Sequence, residues 1–293
     1  MGVAPRLRGK IAIRVFHAIN EVRKVFDLGG PAGLEAAGWQ TGRPKPRVLA
    51  FGQSHLEALI AAHARGGGAG IAVDVVNFLD PRYNPPLQRT PDGDVYNPLI
   101  FDDLRRALAG EAPDFLLASI GGAEHFLRGA VCDPRRYDFI LPDQPDLPLT
   151  QGAEIIPYDL VLAECVANTR ARFRLIETVR GLSSLPVAHL SPPPPVASSA
   201  IIEAELPRDW RDDVAKYGVP SLWFRYRIWA AFMAAGRIAA AETGVIWLDT
   251  PAQSRDGNGF LRESYRRDGF HGNAAYGELV LAQLAAFAAG RVL

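Results

Sequence analysis

Two short stretches, far apart in the chain, carry residue types from which a nucleophile and its base can be built. Gly52-Gln53-Ser54-His55 follows the apolar run Arg47-Val-Leu-Ala-Phe51 and precedes a helical stretch that begins at Leu56. A serine set between a strand and a helix presents its hydroxyl at the end of a sheet. The first N–H groups of the helix then point at any negative charge that develops there. The same residues also spell a helix cap, with Ser54 at the N-cap and Glu57 at the third helical position. A serine hydroxyl is a weak nucleophile and needs a base. Arg267-Asp268-Gly269-Phe270-His271-Gly272-Asn273 offers one, with a carboxylate and an imidazole three residues apart ahead of the last helix. On one tight turn the carboxylate fixes the imidazole tautomer and leaves Nε2 to take a serine proton. The plain alternative is a histidine on a surface loop.

These stretches matter only if the elements place them together. Five short apolar runs read as strands: 47–51, 71–77, 114–120, 185–190 and 245–248. Helical patterns over 56–65, 98–108, 158–179, 220–242 and 272–289 alternate with them. That alternation predicts a three-layer α/β/α sandwich around a parallel sheet, with a flavodoxin-like strand order of 2-1-3-4-5. Ligands of such sheets bind beyond the carboxyl ends of the strands, where both stretches fall. Gly66-Gly-Gly-Ala-Gly70 follows a helix and precedes a strand, the reverse of a phosphate loop, and reads as a helix stop. Residues 81–96 read as a polar, proline-rich loop and 121–156 as a long irregular excursion. Pro192 to Pro195 force the chain out of the sheet after the fourth strand. Residues 1–46 read as a helical extension packed on the main domain, 47–293, with an amphipathic helix over 11–28.

A third stretch, Ile120-Gly121-Gly122-Ala123-Glu124-His125, follows the third strand. In order, spacing and strand-end placement, the three together resemble the SGNH (GDSL-like) hydrolases. That family has a serine after its first strand, a G-x-N-D block after the third and D-x-x-H before the last helix. The tail from Asp256 through His271-Gly-Asn-Ala-Ala-Tyr276 is also similar to bacterial members, so the likeness spans about residues 47–290. It implies a serine esterase with Ser54 as nucleophile, His271 as base and Asp268 as the orienting acid. It further implies an oxyanion hole from the Ser54 N–H, a glycine in the loop after the second strand and an asparagine of the third block. Gly93 is the only glycine of that loop, and Gly122-Ala123 puts a methyl group where the amide belongs. Losing one such donor costs about 10²–10³ in turnover in other hydrolases. His125 or Asn77 could donate instead.

Two functions follow as expectations. One is an esterase that removes an acetyl or other small acyl group from a carbohydrate or similar metabolite. The other is a catalytically weak protein of the same fold that binds a glycan or acyl ligand. His55, His125 and His271 stand at no recognised metal-ligand spacing, so no metal and no cofactor is expected.

The chain has 293 residues, with 32 Lys+Arg against 32 Asp+Glu. Zero formal charge gives no reason to expect nucleic acid as a partner. Two cysteines, Cys132 and Cys165, make no disulfide scaffold or zinc pattern. No signal segment or integral membrane span is visible, and a cytoplasmic location is the expectation. Arg128, Arg135, Arg136 and Tyr137, with Trp210 and Tyr217, could meet a sugar. Trp223, Phe224, Tyr226 and Trp229 read as core. Arg225 and Arg227, set among them, would leave an amphipathic face suited to a partner helix or a homodimer contact.

Overall fold

A computed structural model describes residues 45–290 apart from 69, 91–92, 122 and 207–209. The expected helix over 11–28 and the extension 1–46, all but its last two residues, lie outside the described residues. The central sheet is formed by β1 (Arg47–Gly52), β2 (Ala72–Asn77), β5 (Phe115–Ser119), β8 (Val187–Leu190) and β9 (Ile246–Leu248). All neighbours are parallel, in the order β2-β1-β5-β8-β9. This is the 2-1-3-4-5 order expected of the five main strands.

Side chains alternate across a strand, so each strand feeds two cores. Val48 and Ala50 of β1 face helices α1 (Leu56–Ala64) and α8 (Ala274–Ala288), meeting Leu56, Leu59, Val280 and Leu281. Leu49 and Phe51 face the opposite layer, made of α2 (Pro98–Ala109), α4 (Tyr158–Arg180) and α7 (Leu222–Thr243). Burial on both faces is why these strands read as unbroken apolar runs. Among the described residues, no helix is long and apolar enough to cross a membrane.

The structure departs from the sequence reading in three places. The loop over 81–96 contains an antiparallel hairpin, β3 (Leu87–Thr90) with β4 (Gly93–Tyr96). The excursion over 121–156 opens with α3 (Ala123–Ala130), directly after β5, and later pairs β6 (Tyr137–Asp138) with β7 (Glu154–Ile155). Phe139, Leu141, Val161 and Phe224 close a further core beneath it.

Thirdly, Arg225 and Arg227 do not form an exposed amphipathic face. They are 2% and 1% exposed. Arg227 Nε donates to Asp138 at 2.8 Å inside the molecule. Arg225 donates to the carbonyls of Val196, Ala197 and Pro220 and to Ser199 Oγ. Fixed oxygen acceptors replace the water that a buried guanidinium gives up.

Candidate active site

The turn after β1 has a physical requirement for glycine. Gly52 has φ +143°, and a Cβ there would lie 2.0 Å from the Ser119 carbonyl oxygen. That close approach lets Gln53 N donate to Ser119 O at 2.9 Å, tying the end of β1 to the end of β5. Ser54 therefore stands above the middle of the sheet. Helix α1 starts one position later than a Ser54 cap requires: His55 is the N-cap residue and makes no side-chain cap bond. The capping alternative for Ser54 is replaced by a different partnership. Its Oγ lies 2.9 Å from His271 Nε2, across 217 residues of chain.

His271 is held from below by Asp268. Its Nδ1 is 2.9 Å from both carboxylate oxygens. A carboxylate only accepts, so Nδ1 carries the proton and Nε2 presents its lone pair to the Ser54 hydroxyl. The loop is fixed by its own backbone. Phe270 N and His271 N donate to Asp268 Oδ1 at 2.9 and 2.8 Å, and Arg267 N donates to His271 O at 2.9 Å. Asn273 then caps α8 by accepting from Tyr276 N, while its amide donates to Ser264 O and Arg266 O. Arg267 bridges the two halves of the site, donating to Asp268 and to Glu57 of α1.

Partial burial alone would raise the Asp268 carboxyl, but the hydrogen bond and charge of His271, the Phe270 N–H and Arg267 outweigh it. The carboxyl is held well below the usual range. His55, beside Ser54, has its ring centroid 5.3 Å from that of His271. Burial first, and then the charges of His271 and His125, push His55 well below the usual histidine range, so it stays neutral. Its Nδ1 is buried without a hydrogen-bond partner.

The remaining sequence candidates divide. Among the described residues no backbone group accepts from the Ser54 N–H. His125 lies in the first turn of α3, 7% exposed, against Phe232. Ala123 begins α3, and Gly122 lies outside the described residues. Gly93 sits across from Thr90 in the β3–β4 hairpin. Asn77 turns its amide oxygen to Leu79 N at 3.0 Å. It lines a cavity beside the outer strand β2 with Asp80, Arg82 and Tyr83, and Ser54 is not part of that lining.

Of the residues that could meet a sugar, Trp210 stacks on Phe126 with centroids 5.9 Å apart, Arg128 pairs with Glu164 and Tyr137 meets Phe224 edge-on; Arg128, Arg136 and Tyr137 line one cavity of about 340 Å³, and Ser54 is not part of its lining. Among the described residues, no group of three or more His, Cys, Asp or Glu is placed to hold a metal ion. Sequence reasoning gave His55 no role in serine chemistry and passed over Arg267. The signal for Arg267 was present, since it directly precedes Asp268.

The fold and site thus define a three-layer α/β protein with a serine–histidine–aspartate line at the carboxyl ends of its parallel strands. No protein-family model matches the chain, and neither does any curated protein. Solved structures do. It is similar to a GDSL-like lipase from Bacteroides thetaiotaomicron, at 13% identity over 95% of this chain and 100% of the other, with a TM-score of 0.44. It is similar to a carbohydrate acetylesterase from Sinorhizobium meliloti, at 14% identity over 85% and 100%, with a TM-score of 0.39. It is also similar to an aryl esterase from M. smegmatis, at 13% identity over 84% and 100%, with a TM-score of 0.42.

Proposed function

We propose that the protein is a serine esterase that removes an acetyl or comparably small acyl group from a carbohydrate or similar metabolite. The observation that carries this reading is the hydrogen-bonded line Asp268–His271–Ser54, with the tautomer that proton transfer requires. In the first half-reaction His271 Nε2 takes the Ser54 proton as Oγ attacks the acyl carbon. The carbonyl oxygen becomes an oxyanion, and Asp268 stabilises the imidazolium. When the intermediate collapses, the C–O bond to the alcohol breaks and His271 returns its proton to that oxygen. In the second half-reaction water attacks the acyl-serine as His271 takes its proton; when that intermediate collapses the C–O bond to Ser54 breaks, His271 returns the proton to Oγ, and the carboxylic acid leaves.

The test is labelling with a fluorophosphonate followed by peptide mapping. Labelling at Ser54, lost with hydrolysis of p-nitrophenyl acetate in a folded Ser54→Ala variant, is the expected result. Equal activity in that variant overturns the reading. A folded wild-type protein that neither labels nor hydrolyses favours a binding protein of the same fold.

A further inference from the structure

A cavity of about 340 Å³ lies between the end of α3, the segment 131–137 and the first turn of α7, and neither Ser54, Asp268 nor His271 lines it. That volume falls within the range of small-molecule sites, which join an apolar wall to a few placed polar groups. We infer that it is a second binding site, taking a hydroxylated carboxylic acid of about the size of one sugar acid. The inference goes beyond the serine-esterase reading and does not depend on it.

Three features of the lining fit that ligand. The first is positive charge that is weakly engaged. The Arg136 guanidinium lines the cavity, and among the described residues it makes no hydrogen bond or ion pair. Arg128 lines it too, and its ion pair with Glu164 of α4 joins side chains that are 30% and 57% exposed. A pair that open to water is worth at most about 1 kcal/mol. A ligand carboxylate, held by two N–H groups of one guanidinium, can take its place. Arg128 is also hydrogen-bonded to the Tyr137 phenol, a second anchor that does not depend on Glu164. Behind the wall, Arg225 donates to the Pro220 carbonyl and otherwise meets only carbonyl and hydroxyl oxygens. A buried cation with no carboxylate among its partners favours an anion on this side of the protein.

The second feature is a set of groups suited to hydroxyls. Thr150 Oγ1 and Ser221 Oγ line the cavity 3.0 Å apart, hydrogen-bonded to each other. Ser221 Oγ also accepts from Phe224 N at 3.2 Å as the cap of α7. Each hydroxyl carries a proton and two lone pairs, so the pair keeps both a proton and lone pairs for a ligand hydroxyl. Asp133 is the carboxylate of the lining, and its Oδ1 accepts from Arg135 N at 2.8 Å. It repels a second carboxylate but accepts from a hydroxyl. A bare oxyanion would meet that repulsion unrelieved, whereas a hydroxy acid uses the arginines and Asp133 together.

The third feature is apolar. Phe224 and Tyr137 meet edge-on with centroids 5.4 Å apart, and with Val131 they offer a surface to the C–H face of a small ring.

Cys132 supplies a readout. It is partly exposed and lines the cavity, while Cys165 is buried. Burial raises the Cys132 thiol, and the charges of Arg136 and Arg225 pull against that rise. An anion on Arg136 covers the thiol and cancels part of that pull, so occupancy slows alkylation in two ways.

The experiment follows N-ethylmaleimide alkylation of Cys132 at about pH 8 by peptide mass mapping. Glucuronate, galacturonate, glucose and acetate are the probes, and the two sugar acids are also titrated by calorimetry. At least one sugar acid is expected to slow alkylation about fivefold or more at saturation, with a Kd of about 1 mM or tighter. Glucose and acetate at the same concentration should change the rate less than about twofold. Arg136→Gln and Arg128→Gln should each weaken binding about tenfold. If Arg128→Gln fails to fold, Arg136, which is exposed, carries the comparison. Arg135→Gln removes the same charge from an exposed neighbour outside the lining and should leave Kd within about twofold. No effect of either sugar acid up to about 10 mM overturns the site, and so does equal weakening by Arg135→Gln. Equal protection by glucose or acetate overturns the ligand class. Ser54→Ala is expected to bind as wild type does, and loss of binding there assigns the ligand to the serine and overturns the second site. A wild type that hydrolyses no ester yet binds the sugar acid upholds this site and overturns the esterase reading alone.

Discussion

At the residue scale the site depends on which nitrogen of His271 carries the proton. Asp268 sets that choice by accepting from Nδ1 while two backbone N–H groups hold its own carboxylate in place. Asparagine at 268 keeps the size but turns an amide N–H toward Nδ1. The proton then moves to Nε2, where it blocks transfer from Ser54. Asp268→Asn is therefore expected to lower kcat by about 10³–10⁴-fold while KM changes little. Steady-state kinetics on p-nitrophenyl acetate check this, and a variant with near-normal kcat removes Asp268 from the mechanism. His55 shows what the motif alone could not express. Its neighbour Ser54, read alone, spells a helix cap more readily than a nucleophile, and the start of α1 at Leu56 with the contact to His271 separates the two. Its closeness to His271 depends on a contact made across the whole domain.

At the scale of elements, Ser54 and His271 meet because α1 and α8 pack side by side in one layer. Gly277 allows that approach: a Cβ at this position would lie 2.0 Å from the Ala58 carbonyl oxygen of α1. In an isolated helix, alanine in place of glycine gains about 1 kcal/mol. Here the sign reverses. Gly277→Ala is expected to destabilise by about 2 kcal/mol or more and to slow labelling at Ser54, because the two helix starts are pushed apart. Urea unfolding with parallel labelling measures both effects.

Strand runs and the strand-end positions of the motifs were legible in the sequence, because strands buried on both faces, such as β1 and β5, show mostly apolar side chains. Helix α3 and the β3–β4 hairpin were not, since Gly, Pro and Asp around them read as loop. Arg225 and Arg227 were misread for a different reason. Their acceptors come from positions 28 and 89 residues away, and a charge whose partner is that remote in sequence reads as a solvated one.

For the molecule as a whole, buried neutral histidines set the response to acid. Burial pushes His189 down to about 4 and His125 to about 3, against 6.5 in the open chain. Between about pH 6.5 and 4 the unfolded chain takes up protons that the folded protein refuses, so stability falls as pH falls. Each ring contributes a slope of about 1.4 kcal/mol per pH unit. Asp268 works in a lower window: its depressed carboxyl adds stability above 3.8 that is lost only as pH drops further. Urea midpoints at pH 7, 6 and 5 are expected to decline steadily. His189→Phe, which keeps an aromatic ring between Phe173 and Trp247, should flatten that decline by one proton's share. An unchanged slope would assign the acid sensitivity elsewhere.

The distance along the chain between Ser54 and His271 also has a consequence for synthesis. A growing polypeptide exposes Ser54 to the cell long before the loop that activates it has been made. Any fragment that ends before the 267–273 loop lacks His271, the proposed base, and the helix α8 that packs on α1. On the proposed esterase reading, Ser54 is expected to stay unlabelled by a fluorophosphonate in such fragments, so labelling there would report that both ends of the domain have docked.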